Sequence, residues 1–241
     1  MAKKILVVDD SALMRRVISD IINSGGDYEV AAIARDGVEG FDLIVSNPHL
    51  YSAVILDINM PKMNGLELLE KLQKNRIEQT VIVVSTVAKE GAKETIKALE
   101  LGAFDFVTKP ENYLETKGET FKNNIHKMLD LATGSHRSKV DLRTTSFAKP
   151  GSVVRPAKPK PVVMPRKLEP GNFTGVKTGR KKIVALACST GGPKSLQQVI
   201  PYLPKNLDAP VVLVQHMPAG FTFSLSQRLN EISEVEVKEA Q

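Results

Sequence analysis

Three aspartates directly follow short apolar runs, and this placement suggests a shared cation site. Asp9 and Asp10 come after the run Ile5–Val8, and Asp57 comes after Ala53–Leu56. If both runs are neighbouring parallel strands, the three carboxylates meet outside the carboxyl ends of the strands. Unpaired carboxylates at such a point would repel one another. Mg²⁺ relieves that repulsion, because it binds carboxylates together with phosphate oxygens and water.

Two further residues complete this predicted site. Ser85 follows the apolar run Val81–Val84, and its hydroxyl can donate to a phosphoryl oxygen. Lys109 follows the run Phe104–Val107 with one residue between, and supplies a point cation. Taken singly, such residues are more often loop acids, a capping serine and a solvated lysine. Together, at successive strand ends, they predict a site at which an aspartate is phosphorylated.

A serine lies at a second predicted strand-to-helix turn, near the other end of the chain. The run Lys182–Ala187 leads through a cysteine to Ser189, and Gly191 and Gly192 follow. The glycines allow a tight turn, and Pro193 suits the first turn of a helix. Backbone N–H groups at the start of such a helix can hold an oxyanion.

A histidine is predicted at the neighbouring strand end. The run Ala209–Val214 leads to Gln215 and His216. A serine and a histidine at adjacent strand ends are the first half of a nucleophile–base pair. The alternative is that the Ser189 turn only caps a helix and that His216 is structural. Cys188 is better interpreted as a small buried hydrophobe than as the nucleophile.

The elements that position these residues are short apolar strands alternating with amphipathic helices. In the first 132 residues the pattern predicts a doubly wound five-stranded parallel α/β sheet. The predicted strands are 5–8, 28–34, 53–56, 81–84 and 104–107. The predicted helices are 12–24, 37–46, 65–74, 89–101 and 120–131. The runs near Ser189 and His216 predict the start of a second parallel α/β domain of hydrolase type, and we expect its third strand at Val235–Val237.

Length and composition exclude several classes of protein. A chain of 241 residues is long enough for two domains. One cysteine excludes an internal disulfide framework, and the four scattered histidines do not form an HExxH zinc motif. The sequence contains no run of 18 apolar residues, so we expect no membrane insertion. The first apolar run is too short for the core of a signal peptide, so we expect a cytoplasmic protein.

The positive charge of the chain is concentrated in one segment. Residues 134–182 carry a net +11 within a total of +6, so the rest of the chain carries −5. The segment holds six of the 14 prolines and lacks apolar periodicity, which is typical of an extended linker. Nucleic-acid or membrane-surface binding is less favoured, because stacking aromatics and a helical period are missing. The predicted domains are therefore 1–132 and 182–241, joined by a basic, proline-rich linker at 133–181.

The N-terminal motifs resemble those of bacterial response-regulator receiver domains over roughly residues 3–132. The motifs are Val7-Val-Asp-Asp-Ser-Ala12, Asp57-Ile-Asn-Met-Pro-Lys-Met-Asn-Gly65, Val84-Ser85 and Thr108-Lys-Pro110. The resemblance implies that Asp57 accepts phosphate from a histidine kinase. It implies Mg²⁺ ligands at Asp10, Asp57 and the carbonyl of Asn59, with Asp9 assisting. It also implies Ser85 as a switch hydroxyl and Lys109 as a phosphate-sensing cation.

The C-terminal motifs resemble the catalytic domain of the chemotaxis protein-glutamate methylesterases. The motifs are Ser189-Thr-Gly-Gly-Pro193 and Gln215-His-Met-Pro-Ala-Gly-Phe-Thr222. The resemblance implies Ser189 as nucleophile and His216 as general base, acting on methylated glutamates of chemoreceptors and releasing methanol. It also implies that receptor glutamines can be deamidated. In that family the receiver covers the esterase site until Asp57 is phosphorylated.

The chain departs from this family at two places. Ala187 and Cys188 stand where the family has Gly-Ala, which adds bulk beside the nucleophile. The family's third catalytic residue is an aspartate in a later Asn-Asp-Gly motif, and residues 217–241 contain no aspartate. We therefore expect a truncated esterase domain with little activity.

Three function classes follow from these patterns. The first is a phosphorylation-gated esterase, and the second is a phospho-receiver binding module with an inactive esterase segment. The third, a DNA-binding response regulator, needs a helix-turn-helix pattern that the Ser189 region does not provide. We expect a monomer that binds a histidine kinase and chemoreceptors but no nucleic acid.

Overall fold

The strands of the computed structural model, which describes residues 1–86, 88–110, 118–134 and 182–240, form two parallel sheets. The first sheet contains β1 (Lys3–Val8), β2 (Tyr28–Ala34), β3 (Ala53–Asp57), β4 (Val81–Ser85) and β5 (Asp105–Thr108). The second contains β6 (Val184–Cys188) and β7 (Val211–Gln215). The order of the first sheet is β2-β1-β3-β4-β5, so the chain winds in both directions from β1.

Seven α-helices connect or follow these strands within the described residues. They are α1 (Ala12–Asn23), α2 (Gly37–Ser46), α3 (Gly65–Lys74), α4 (Lys89–Glu100), α5 (Glu119–Ala132), α6 (Gly192–Val199) and α7 (Phe221–Ile232). A 3₁₀ turn, Ile200–Tyr202, follows α6.

Polar side chains define where the first helices begin. Ser11 Oγ accepts the N–H of Met14 at 3.3 Å at the start of α1. Asn64 and Glu67 form a reciprocal capping box at the start of α3. Each cap satisfies N–H groups that a helix start leaves without partners, so these residues place the helices just after the strand ends.

Two layers of apolar side chains cover the two faces of the first sheet. Strands β3 and β4 are buried along their whole length, which explains their nearly continuous apolar sequences. One layer lies against α1 and α5 and includes Ile18 and Ile125. The other lies against α3 and α4, includes Leu68 and Ile96, and extends to residues of α6 and α7.

The C-terminal segment packs against the α4 side of the first sheet. Phe221 of α7 stacks on Phe106 of β5 with ring centroids 4.7 Å apart. Arg228 of α7 forms an ion pair with Glu100 of α4 at 2.8 Å. The described residues of the first 134 positions and of 182–240 belong to one compact unit.

The predicted fold class is confirmed, and the strand and helix positions agree to within two residues at almost every boundary. The strand predicted at Val235–Val237 is wrong. The N–H of Val237 is instead bonded to the side chain of Asn230 at 2.9 Å, so it is not available to a sheet. The boundaries 1–132, 133–181 and 182–241 stay a prediction, and nearly all of the linker lies outside the described residues.

None of the described helices is both long enough and apolar enough to cross a bilayer.

Candidate functional site

The acidic cluster predicted at the carboxyl ends of β1 and β3 is present. Val8 is paired with Leu56 in parallel register, so Asp9 and Asp57 lie side by side. Both carboxylates are buried, whereas Asp10 is exposed. Ligand oxygens of the three aspartates lie within 4.8 Å of one another. Hard carboxylate oxygens in this arrangement suit a divalent cation such as Mg²⁺.

Lys109 lies against two of these acids. Its Nζ is 3.0 Å from Asp9 Oδ2 and 2.9 Å from Asp57 Oδ2. The N–H of Lys109 donates to the carbonyl of Ser85 at 2.7 Å, which fixes the lysine beside the cleft. Burial alone would lower the pKa of Lys109, but the two carboxylates raise it above its ordinary value. The lysine therefore stays charged and supplies a fixed cation to the cleft.

Burial also changes the acidity of Asp57. It raises the pKa of Asp57 to about 6, an effect that Lys109 opposes and Asp9 increases. The N–H of Ile58 donates to Asp57 Oδ1 at 2.8 Å and helps to fix the carboxylate. Near neutral pH the side chain is therefore largely ionised, as a nucleophile must be, but at a cost to the folded state.

Replacing Asp57 by asparagine should therefore stabilise the fold at pH 7.5 when divalent cations are removed, by about 1–3 kcal/mol. The folded-state pKa of about 6 lies above the ordinary value of 3.8. The folded protein then binds more protons than the unfolded chain between these values, so stability falls as pH rises through them. Asparagine does not ionise, so the difference should be largely lost by pH 4, close to the ordinary pKa of 3.8.

Urea unfolding of both chains in EDTA at the two pH values measures this difference. Asp20→Asn, at an exposed acid on α1, is the matched control and should change little. An Asp57→Asn chain that is no more stable than the unaltered one at pH 7.5 contradicts the prediction.

Ser85 and Asn59 lie beside the cleft but are engaged elsewhere. Ser85 is buried at the end of β4, and its hydroxyl donates to the carbonyl of Gly91 at 3.2 Å. The side chain of Asn59 is exposed and donates to Glu94 at 3.1 Å. The structure therefore brings Asp9, Asp57 and Lys109 into direct contact, with Ser85 and Asn59 at the margin.

Two residues that support this cleft were not singled out from the sequence. Arg15, in the first turns of α1, donates to the carbonyls of Asp9 at 2.7 Å and Asp10 at 2.8 Å. Gly65 lies so close to the backbone of Asp57 that a Cβ there would clash with it. The spacing of Arg15 from the acid pair was a usable signal, whereas the close approach at Gly65 is visible only in three dimensions.

Ser189 and His216 follow β6 and β7 directly, as predicted. Cys188 is paired with Gln215, and the N–H of His216 donates to the carbonyl of Cys188 at 3.1 Å. Ser189 and His216 are both exposed. The hydrogen bonds of the described residues do not include one between the serine hydroxyl and the imidazole. Strand register thus brings the two residues together without pairing their reactive atoms.

The turn after Ser189 closes tightly despite the added bulk before it. Gly192 donates to the carbonyl of Ser189 at 2.8 Å, and Gly191 has a φ of +72°. A Cβ at Gly192 would lie 2.8 Å from Cys188 Cβ and would also clash with the side-chain amide of Gln215. Both glycines are therefore required, one for its backbone conformation and one for space. Cys188 packs against the apolar layer, as a hydrophobe would, but it is half-buried rather than buried.

Gln215 ties the two predicted reactive residues together, a role that the sequence did not reveal. Its Nε2 donates to the carbonyl of Ser189 and to that of His216, both at 3.0 Å. An amide at the end of a strand carries no signal for such a bridge, because the bridge depends on the register of β6 against β7.

Comparison with known families assigns both parts of the chain. Residues 5–117 match the response regulator receiver domain, and residues 184–241 match the CheB methylesterase. Together with the observed five-stranded sheet, the first match makes the N-terminal part a receiver domain.

Curated relatives match nearly the whole chain. The protein-glutamate methylesterase/protein-glutamine glutaminase of Bacillus subtilis is 42% identical over 238 residues, which is 98% of this chain and 62% of the relative. Those of Thermotoga maritima and Pyrococcus horikoshii are 42% and 41% identical over 239 residues, covering 99% of this chain and 62% and 59% of the relatives. The chain thus spans about 60% of the length of these relatives. It belongs to the protein-glutamate methylesterase family, a family of hydrolases.

Among solved structures, the response regulator domain of Thermotoga maritima CheB is similar to this chain. It is 37% identical, with a TM-score of 0.47, over 56% of this chain and 96% of that domain.

Proposed function

We propose that the protein is a phosphorylation-regulated component of chemotaxis adaptation, in which a receiver controls a protein-glutamate methylesterase and glutaminase segment. One observation carries the proposal. A single chain holds the acidic cleft around Asp57 and, in a second sheet, a serine and a histidine at adjacent strand ends. The order of the two parts is the order of the two family matches.

In the receiver, Asp57 is proposed as the phosphoacceptor. One of its carboxylate oxygens attacks phosphorus, and the P–N bond to the kinase histidine breaks. The imidazole of that histidine, already protonated on its other ring nitrogen, leaves as the neutral base. Mg²⁺ bound by Asp10, Asp57 and the Asn59 carbonyl, with Asp9 assisting, would neutralise the charge that develops on the phosphoryl oxygens. Lys109, already 2.9 Å from Asp57, stabilises the phosphoryl group once it is attached. Ser85 donates to a phosphoryl oxygen once its hydroxyl has rotated and released its hydrogen bond to the carbonyl of Gly91.

In the C-terminal segment, Ser189 is proposed as the nucleophile of a serine ester hydrolase. Its Oγ attacks the carbonyl carbon of a glutamyl methyl ester while His216 accepts the hydroxyl proton. The histidine then gives that proton to the departing methoxide, so methanol leaves and an acyl-serine remains. Water hydrolyses the acyl-serine and restores the free serine. With a glutamine substrate the same steps release ammonia.

The alternative function is a phospho-receiver module whose esterase segment is inactive. Two observations favour it for the 241-residue chain. The Ser189 hydroxyl is not bonded to His216, and residues 217–241 contain no aspartate to orient the imidazole. Both functions share the receiver chemistry, so they differ only in what the second segment does.

The proposed partners are a chemotaxis histidine kinase as phosphodonor and methyl-accepting chemoreceptors as substrates, encountered in the cytoplasm. We expect the purified chain to take phosphate from such a kinase labelled on its histidine. Loss of label from the kinase and its appearance on the chain, with Mg²⁺ but not with EDTA, measures the transfer. A chain that takes no label in Mg²⁺ from any chemotaxis kinase tested, while the kinase labels its own regulator, contradicts the proposal.

A further inference from the structure

A buried carboxylate of the receiver contacts the turn that follows Ser189. Asp105, the first residue of β5, is 5% exposed. Its Oδ2 accepts the N–H of Gly191 at 2.7 Å, and its Oδ1 accepts the N–H of Phe106 at 2.9 Å. Gly191 is the N-cap of α6, two residues after Ser189. The contact therefore joins the receiver sheet directly to the turn that carries the proposed nucleophile.

The surroundings of Asp105 show that this contact is specific. The ion pairs of the described residues include none with Asp105, so its charge is balanced by backbone N–H groups. Burial raises the pKa of Asp105, and the N–H groups of Gly191 and Phe106 oppose that shift. A buried carboxylate with only two N–H donors destabilises the folded state if either hydrogen bond is lost. The packing of the C-terminal segment against the receiver sheet therefore depends on the hydrogen bond to Gly191.

A neighbouring hydrogen bond fixes the start of α6, just after the Ser189 turn. Lys194, in the first turns of α6, donates to the carbonyl of Gly102 at 3.0 Å, just before β5. The Ser189 side chain itself is exposed. In the described residues the receiver therefore reaches the backbone of the turn without covering its serine.

We propose that Asp105 is a positioning residue for the turn that carries Ser189. From the receiver, its carboxylate holds the Gly191 N–H and so competes for that donor with the oxyanion of a substrate. N–H groups at a helix start are the donors that stabilise such an oxyanion, and the Gly191 N–H cannot serve a carboxylate and an oxyanion at once. The proposal rests on the proposed esterase function for the role of the turn. The contact itself is tested without any ester.

Cys188 provides a built-in probe for the test. It is the one cysteine of the sequence, precedes Ser189 and is half-buried. Its rate of labelling by a maleimide, followed by mass spectrometry on the full chain, reports how often the turn opens. Asp105→Leu removes both acceptor oxygens at similar size and should raise the labelling rate about tenfold. Asp105→Asn keeps one acceptor oxygen and should raise it less than threefold.

Two control variants distinguish an effect on the Ser189 turn from a general loosening of the C-terminal segment. Glu100→Gln weakens the ion pair between α4 and α7, away from the turn, and should change the rate less than twofold. Asp20→Leu, at an exposed acid on α1, should leave it unchanged. If Asp105→Leu does not fold by circular dichroism, Asp105→Ser takes its place, because its hydroxyl is too short to reach Gly191.

The proposal is overturned if the folded leucine or serine variant labels at the rate of the unaltered chain. It is also overturned if Glu100→Gln or Asp105→Asn accelerates labelling as much as the leucine or serine variant does. A chain without esterase activity would still show the expected labelling pattern. Failure of this proposal and failure of the esterase proposal are therefore distinguishable.

Discussion

Asp57→Asn should abolish phosphorylation of this chain. With Mg²⁺ and a small phosphodonor such as acetyl phosphate, the unaltered chain should gain one phosphoryl group that is stable to acid and labile to base. The expectation follows from geometry, because Asp57 is the buried carboxylate that contacts Lys109 at the end of β3. Asparagine keeps the shape of the side chain but cannot form an acyl phosphate. Intact mass measurement before and after base treatment gives the stoichiometry.

The other acids of the cleft provide the controls. Asp10→Asn should slow phosphorylation but leave Asp57 as the labelled residue, since Asp10 is exposed and is proposed only to hold the cation. Asp20→Asn, outside the cleft, should label at the normal rate. Asp9 is less suitable, because its carboxylate also accepts the N–H of Ser11 at 2.8 Å and its loss would disturb the start of α1. A phosphoryl group that persists in Asp57→Asn would reject Asp57 as the acceptor.

The receiver cleft could be predicted because its geometry follows from strand order and strand ends alone. Strands β3 and β4 are buried on both faces and therefore appear in the sequence as nearly continuous apolar runs. Once the runs are recognised as parallel strands, the residues directly after them must converge at one edge. This places Asp9, Asp57 and Lys109 together without any knowledge of side-chain contacts.

The contacts around Ser189 could not be predicted, because they depend on how distant segments pack. Asp105 and Gly191 are 86 positions apart, and an aspartate at the start of a strand is not unusual. Alternation in Val235-Glu-Val237 resembles a strand, but a single side chain, Asn230, satisfies the N–H of Val237 instead. The Asp105–Gly191 contact and the conformation at Val235–Val237 were both decided by packing and side-chain hydrogen bonds. Such interactions leave no periodic pattern in the sequence.

The second sheet also differs from the first in how well it is covered. Val212 and Val214 of β7 are 49% and 63% exposed, although parallel strands are normally covered on both faces. The inward residues Leu186 and Leu213 pack against the apolar layer shared with α4. One face of this sheet therefore has packing partners among the described residues, and the other face is open.

The largest effect on catalysis should come from extending the chain. We expect the 241-residue chain to release methanol from methylated chemoreceptors at least about 10³-fold more slowly than a chain extended by the family's C-terminal region with its Asn-Asp-Gly motif. In a serine protease of the chymotrypsin type, changing the triad aspartate to an amide lowers turnover by about 10⁴. That aspartate fixes the tautomer of the histidine and stabilises its charge. Here residues 217–241 contain no aspartate that could take this role for His216.

Methanol release from methylated receptor membranes, with and without phosphorylation of Asp57, measures both chains. In the extended chain, Ser189→Ala and His216→Ala should each remove the activity, because the hydroxyl is the proposed nucleophile and the imidazole its base. Cys188→Ala should retain it, since that side chain packs against the apolar layer. Substantial phosphorylation-stimulated methanol release by the 241-residue chain would show that another group, or a partner chain, orients His216. In that case the inactive-module alternative fails, and the search for the third residue moves to the glutamates of residues 217–241 and to acids elsewhere in the chain.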